Sequence, residues 1–361
     1  SSPASSQMER DAVADIGRMF GWDECLGHLC GGGTLANFEA LWVGRELAPG
    51  AGVAASAQAH YTHSRLSSVL GVPFHSVATD RFGRMKVDAL VDVLDKQEIG
   101  TVVVTLGTTS TGSVDPLPEI AALREKYGFR LHIDTAYGGY HKLAGNLDEH
   151  ASAAYDCTAL ADSIVVDPHK QGLQPYGCGC IIFRDPSVGR IYKHDSPYTY
   201  FTSNELHLGE ISLECSRSGA ASVALWTTMQ RLPLEPGGEF ATMLETSRSA
   251  ALELHDALAE SPDFAPLFRP ELDIVVWAVP AGSASASSAL AQRVFDAAAA
   301  RDLHLALTRM PADMCGDAGV ADWDQPTLTC LRACVIKPEH KDWMGEILRR
   351  LNGAARDAHD N

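Results

Sequence analysis

Lys170 closes the run Val165-Val166-Asp167-Pro168-His169-Lys170, in which an apolar stretch delivers a lysine into a segment rich in glycine and proline (Gly172, Pro175, Gly177, Gly179). Taken alone, a lysine at such a strand end reads as a solvated loop residue. Drawn partly out of water beside an aldehyde it has another use, because its pKa falls readily and the freed amine forms a Schiff base. Asp134 ends the run His132-Ile133-Asp134 ahead of Thr135-Ala136-Tyr137-Gly138-Gly139-Tyr140. Its neighbours are mostly apolar, so its charge needs a partner or water. It could cap the next turn, or pair with a protonated pyridine nitrogen and keep a cofactor ring an electron sink. The third feature is Gly31-Gly32-Gly33-Thr34 before the helical stretch Asn37–Trp42. N–H groups at a helix start bind anions, and glycine lets the backbone approach a phosphate. The run is neither GxGxxG nor a Walker loop with its lysine, which disfavours nicotinamide and nucleotide readings.

Short β-branched runs must position these groups. They are expected at Gly52–Ala57, Thr101–Leu106, Arg130–Asp134, Ser163–Val166 and Cys180–Phe183, with helical patterns at Val87–Leu94, Leu117–Tyr127 and near Ala153–Leu160. Apolar strands alternating with amphipathic helices predict an α/β sheet covered on both faces. Residues 1–30 read as a helix followed by a turn, with Met8, Val13, Ile16, Met19 and Phe20 at roughly helical spacing. From about residue 220 the pattern changes to a compact α+β unit. Helices are expected over Ala220–Gln230, Thr242–Leu258, 284–300 and 341–351, with strands at Asp273–Val279, Leu303–Thr308 and Leu328–Ile336. The stretch Ala281–Ser288 reads as a loop with a helix start. The division is drawn at 1–230 for a large α/β domain and 231–361 for a small C-terminal one. No internal repeat is visible.

The 361 residues include 29 Lys and Arg against 46 Asp and Glu, a formal charge of −17. That balance opposes non-specific binding to nucleic acid or anionic lipid. No apolar run reaches the roughly 18–20 residues needed to span a bilayer, and no signal peptide opens the chain. Nine cysteines, an odd count without a Cys-x-x-Cys pair, argue against a disulfide framework and for a reducing cytoplasm. Cys178 and Cys180 read as small packing residues. No histidine or cysteine spacing suits a metal, so none is expected.

The order of glycine-rich anion turn, strand-end aspartate and strand-end His-Lys resembles the fold-type I pyridoxal-phosphate enzymes. More narrowly, the chain is similar to the group II amino-acid decarboxylases, a family that includes aromatic-amino-acid, tyrosine and glutamate decarboxylases. The resemblance runs over nearly the whole chain. It includes Ser1-Ser2-Pro3 with Met8-Glu9, Gly27-His28 before Gly31–Asn37, Ala59-His60-Tyr61, Leu106-Gly107-Thr108-Thr109 with Gly112-Ser113-Val114-Asp115-Pro116, the Asp134 segment, Asp167–Lys170 and Leu331-Arg332.

The resemblance implies a mostly parallel seven-stranded sheet with flanking helices and a smaller C-terminal α+β domain. It implies a pyridoxal 5'-phosphate-dependent carboxy-lyase that releases CO2 and an amine from an L-amino acid. By similarity Lys170 forms the Schiff base, Asp134 pairs with the ring nitrogen and Ala136 packs under the ring. Gly33, Thr34 and His169 contact the phosphate, His60 stacks on the opposite ring face, and Thr108 lies near the ring's phenolic oxygen. His63 is close enough in sequence to be confused with His60. Tyr198 and Tyr200 lie where the family keeps a tyrosine thought to protonate the carbanion. Arg217 is a candidate contact for cofactor phosphate or substrate, and Arg332 a candidate carboxylate ligand.

Tyr137, Tyr140, Tyr176, Phe201 and Trp42 could line an aromatic pocket, and the Gly-Trp-Asp-Glu stretch at 21–24 could reach the substrate; an aromatic substrate such as tyrosine is favoured. A decarboxylating aldehyde synthase, an aminotransferase or another lyase is the alternative on the same cofactor. Family members usually carry a further N-terminal segment, so the chain reads as part of a longer protein. A homodimer with shared sites is expected. Gln171 and Thr135 depart from the usual residues beside the lysine and the aspartate, which bears on substrate preference.

Overall fold

The computed structural model describes residues 3–193, 211–214 and 217–360. They divide into two compact units. The first takes in residues up to Ala78, Met85–Thr108 and Val114–Ala241. The second takes in Thr79–Arg84, Thr109–Ser113 and the chain from Thr242. The division at 241/242 lies beyond the 230/231 drawn from the sequence, and two short early segments join the second unit.

The first unit is built on a seven-stranded sheet. Its strands are β1 (Leu26–Cys30), β2 (Gly52–Ser56), β3 (Phe74–Val77), β4 (Ile99–Thr105), β5 (Arg130–Thr135), β6 (Ser163–Val166) and β7 (Gly179–Phe183), in the spatial order β1-β7-β6-β5-β4-β2-β3. β3, β2, β4, β5 and β6 run parallel, and β7 is antiparallel to both of its neighbours. The central strands are apolar and buried along almost their whole length, as in Ser163-Ile164-Val165-Val166 and Gly179-Cys180-Ile181-Ile182-Phe183. Such runs suit a sheet covered on both faces.

Two of these strands are absent from the sequence reading. β1 lies within the stretch read as helix and turn. Its Leu-Gly-His-Leu-Cys run lacks β-branched residues and is held by five register pairs with β7, from Leu26↔Phe183 to Cys30↔Gly179. β3 is a four-residue edge strand, only partly buried, with no clear alternation.

Direction along the sheet decides where the chemistry gathers. β1 runs opposite to β7, which runs opposite to β6, so β1 shares the direction of the parallel strands. The carboxyl ends of β1, β2, β4, β5 and β6 therefore lie along one edge. From that edge emerge, in turn, Gly31–Thr34, His60, Thr108, Asp134–Ala136 and Asp167–Lys170. Ligands of open α/β sheets bind at this edge.

The helix α1 (Pro3–Met19) buries Ala12, Val13 and Ile16 on one face. α2 (Gly33–Leu47) follows β1, and α3 (Thr62–Leu70) follows β2, ending at Gly71 in the left-handed conformation with φ 67°. No helix among the described residues is long and apolar enough to cross a membrane.

The second unit carries a four-stranded antiparallel sheet. Ile274–Ala278 pairs with Ala265–Pro266 on one side and Thr327–Cys334 on the other, and Ala306–Pro311 completes it. Its core gathers Trp277, Leu331, Leu254, Val294 and Leu351. The helix Ala284–Ala299 starts where the serine-rich stretch predicts, with Ser283 Oγ accepting from Ala286 N at 3.2 Å. The strand expected at Leu303–Thr308 begins later, at Ala306.

Candidate active site

Asp134 is the buried centre of the carboxyl edge, 4% exposed. Its Oδ2 accepts from His63 Nε2 at 2.8 Å and from Asn37 Nδ2 at 3.2 Å, and its Oδ1 accepts from the Ala136 N–H at 3.0 Å. Burial pushes the carboxyl pKa up. The hydrogen bonds from His63 and the Ala136 N–H, with the nearby Lys170, overcome this and hold it well below the usual carboxylate range. Asp134 is thus a fixed, buried anion facing Lys170 and His60.

Lys170 follows β6, in a loop that folds back into β7. Its Nζ lies 2.9 Å from Asp167 Oδ2 and its side chain is 38% exposed. Burial raises the Asp167 pKa, against the pull of Lys170 and His169. Asp167 Oδ1 is buried with no hydrogen-bond partner. His169 Nδ1 lies 2.7 Å from the Cys178 carbonyl, its ring against Tyr176 at 4.7 Å. Within this loop Leu173 sits at φ 60°, a left-handed conformation that a branched side chain adopts only under constraint.

α2 begins with Gly32 at φ 146° and no side-chain cap, which leaves the N–H groups of Gly33 and Thr34 without a carbonyl inside the helix. A Cβ on Gly33 would meet Asp167 Oδ2 at 2.8 Å and Ala136 Cβ at 3.0 Å. Thr34 Oγ1 lies 3.5 Å from Thr62 Oγ1, which is itself 2.7 Å from His60 Nδ1. Burial lowers the His60 pKa, against the attraction of Asp134. Thr108 is buried just beyond β4. The sheet edge thus gathers Gly33, Thr34, His60, Thr108, Asp134, Ala136, His169 and Lys170 in one unit.

Other groups named from the sequence have different surroundings. Arg217 is ion-paired with Glu9 at 2.7 Å and donates to the Leu29 carbonyl, so its charge is matched within the fold. Arg332, in the second unit, donates from Nε to the Ser110 carbonyl at 3.1 Å and from Nη2 to that of Thr109 at 2.5 Å. The sequence suggests both arginines as ligands for an anion; in the fold both bond to protein groups. Trp42, partly buried, packs edge-on to Tyr192, Tyr140 is buried against Phe240, and Tyr176 is 92% exposed. Trp22 is buried and donates to the Ala159 carbonyl at 3.0 Å. Tyr198, Tyr200 and Phe201 lie outside the described residues. His63 and Asn37, both on Asp134, are the residues the sequence reading did not assign. The His-x-x-His spacing of His60 and His63 at a helix start was the available signal.

A family model described as the pyridoxal-dependent decarboxylase conserved domain matches residues 46–279, more than half of the chain. The chain belongs to the pyridoxal-dependent decarboxylase family. A curated relative from Aliivibrio fischeri, named aspartate 1-decarboxylase, is 31% identical over 301 residues, covering 74% of this chain and 53% of its own. A probable L-tyrosine/L-aspartate decarboxylase of Methanothermobacter thermautotrophicus is 27% identical over 282 residues, covering 76% of this chain and 74% of its own. The chain therefore spans little more than half the length of the Aliivibrio protein. Among solved structures, mouse CSAD superposes with a TM-score of 0.82 at 20% identity, over 98% of this chain and 77% of that one. Identity that low speaks to the fold alone.

The family's cofactor is pyridoxal phosphate, and the sheet edge suits it. The unpartnered N–H groups at the start of α2 suit a phosphate, the buried Asp134 anion suits a protonated ring nitrogen, and the half-exposed Lys170 amine suits an aldehyde. Among the described residues no cluster of three or more His, Cys, Asp or Glu is arranged to hold a metal ion.

Proposed function

We propose that the protein decarboxylates an L-amino acid, releasing CO2 and the corresponding amine. The observation that supports this most is that a buried Asp134, held by hydrogen bonds from His63, Asn37 and the Ala136 N–H, and the Lys170 amine share one sheet edge, in a chain of this family. Bound pyridoxal phosphate supplies an electron sink that takes up the pair left when the bond from Cα to the carboxylate breaks. Lys170 would hold the group through its Nζ amine, which suits the cofactor's aldehyde. Asp167, 2.9 Å away, orients that amine and takes up or returns its proton. Asp134 holds a proton on the ring nitrogen, which stabilises charge as it develops. His60 would pack against the cofactor's ring. The start of α2 anchors the phosphate through the backbone of Gly33 and Thr34, with His169 alongside. Tyr198 or Tyr200 delivers the proton to Cα, as the family resemblance implies.

The aromatic substrate preference loses two supports, since Tyr140 belongs to the core and Trp42, partly buried, packs against Tyr192. The relatives are named for aspartate and for tyrosine or aspartate, so these two amino acids head the test. We also propose a homodimer. Tyr61, Leu173 and Tyr176, on the two loops that carry His60 and Lys170, expose 62%, 48% and 92% of their surface, and such apolar exposure beside a site suits a partner surface.

Mass spectrometry of products from cofactor-loaded protein incubated in air with each amino acid is the deciding experiment. Amine and CO2 from one or two substrates, abolished in Lys170→Ala, are expected. Aldehyde with ammonia and peroxide, or a keto acid, would replace this reading with an oxidative or transamination reaction on the same fold.

A further inference from the structure

Asp134 stands inside a longer chain of hydrogen bonds. Ser163 Oγ lies 2.9 Å from His132 Nδ1, and His132 Nε2 lies 2.8 Å from Asn37 Oδ1. Asn37 Nδ2 then donates to Asp134 Oδ2, and His63 Nε2 reaches the same oxygen from α3. The polarity of this chain is fixed from its middle. Asn37 must present its amide N–H to the carboxylate, so its carbonyl faces His132 and can only accept. His132 therefore carries its proton on Nε2, and its bare Nδ1 accepts from the Ser163 hydroxyl.

At the other end, a carboxylate oxygen accepts only, so the His63 proton lies on Nε2. His63 is 0% exposed and its Nδ1 has no partner. A second proton there would be a buried donor with nothing to bond. The ring is therefore built to give one hydrogen bond, and that bond goes to Asp134. The titratable and charged groups around this carboxylate are His60, His63, His132, Asp167 and Lys170.

We propose that His63 is a positioning residue that sets the protonation of the cofactor's ring nitrogen through Asp134. With His63 and Asn37 both donating to Oδ2, the carboxylate is kept from taking the ring's proton for itself and is held in one orientation. This rests on the reading of Asp134 as the ring-nitrogen partner.

The test uses wild type, His63→Leu and His63→Gln loaded with pyridoxal phosphate carrying heavy nitrogen in its ring. Nitrogen NMR against pH reads the ring proton, and fluorescence quenching reads cofactor affinity, both without substrate. The wild-type ring nitrogen should stay protonated to alkaline pH. In His63→Leu it should lose its proton at lower pH, with cofactor bound roughly tenfold more weakly, as expected for one lost hydrogen bond to a charged group. Glutamine, whose Nε2 reaches about as far as that of histidine, should restore both. If the leucine variant does not fold, His63→Asn takes its place, since its amide is too short to reach Oδ2. Equal ring titrations and affinities in the variant that lacks the donor and in wild type would overturn the proposal, as would equal values for that variant and His63→Gln. A wild-type ring nitrogen without a proton would overturn the Asp134 reading and this proposal with it. The two failures are told apart by which protein shows them.

Discussion

His132 carries no charge at neutral pH. Burial drives its pKa down from 6.5 to about 3, whereas in the unfolded chain it titrates near its ordinary value. Between about pH 3 and 6.5 the unfolded state binds more protons than the folded one, so stability rises with pH across that window and is lost as pH falls through it. Urea unfolding midpoints should be lower at pH 5 than at pH 7, and the gap should narrow in His132→Asn. An unchanged gap would place the acid sensitivity elsewhere. Lys170 and Asp134 are legible in the sequence because residue type and position at the end of an apolar run suffice to mark them. The network around Asp134 is not legible. Its members at 37, 63, 132 and 163 come from α2, α3, β5 and β6, and only the sheet brings them together. The arginines show the converse. Arg217 looks like an anion ligand until the fold supplies Glu9 from α1.

Among the elements, the contact between β7 and the start of α2 is the tightest constraint on the site. A Cβ on Gly179 would meet Gly32 Cα at 2.5 Å, its carbonyl carbon at 2.6 Å and its nitrogen at 2.9 Å. These are backbone atoms, so the helix start itself would have to move. Gly179→Ala is expected to lower stability by about 1–3 kcal/mol, the usual cost of overpacking, and to weaken cofactor binding by displacing the N–H groups of Gly33 and Thr34. Thermal melting of the protein without cofactor separates the two effects. Wild-type cofactor affinity in the variant would show that the helix start does not set the phosphate position. The strands carrying Asp134 and leading to Lys170 were readable because central strands of a parallel sheet are continuously apolar. β1 was not, because Gly27 and His28 interrupt its pattern and its pairing partner lies far along the chain. Gly27 is needed where it stands, since a Cβ there would meet the Ile181 carbonyl oxygen at 2.6 Å.

For the whole molecule, the alternation of strands and helices followed by a smaller α+β unit was legible, while the two short segments at 79–84 and 109–113 that join the second unit were not. Local pattern reports periodicity and is silent on which unit a loop joins. The expected dimer belongs to this scale. Light scattering should give twice the 38.7 kDa chain mass, and Tyr176→Asp, which sets a charge where an exposed aromatic stands, should shift the protein towards monomer. A monomer with full cofactor occupancy would end the dimer reading.

The pairing of β1 with β7 also bears on the order in which the chain is made. Synthesis delivers residues from the amino end, so β1 and the glycine turn behind it leave the ribosome before the other strands of this sheet. Yet β1 has no partner in the sheet until Gly179–Phe183 has also emerged, and closing so long a loop is slow. The cradle for the phosphate is thus translated ahead of the rest of the sheet and is among its last parts to be completed. Until then an unpaired strand stands open to wrong partners.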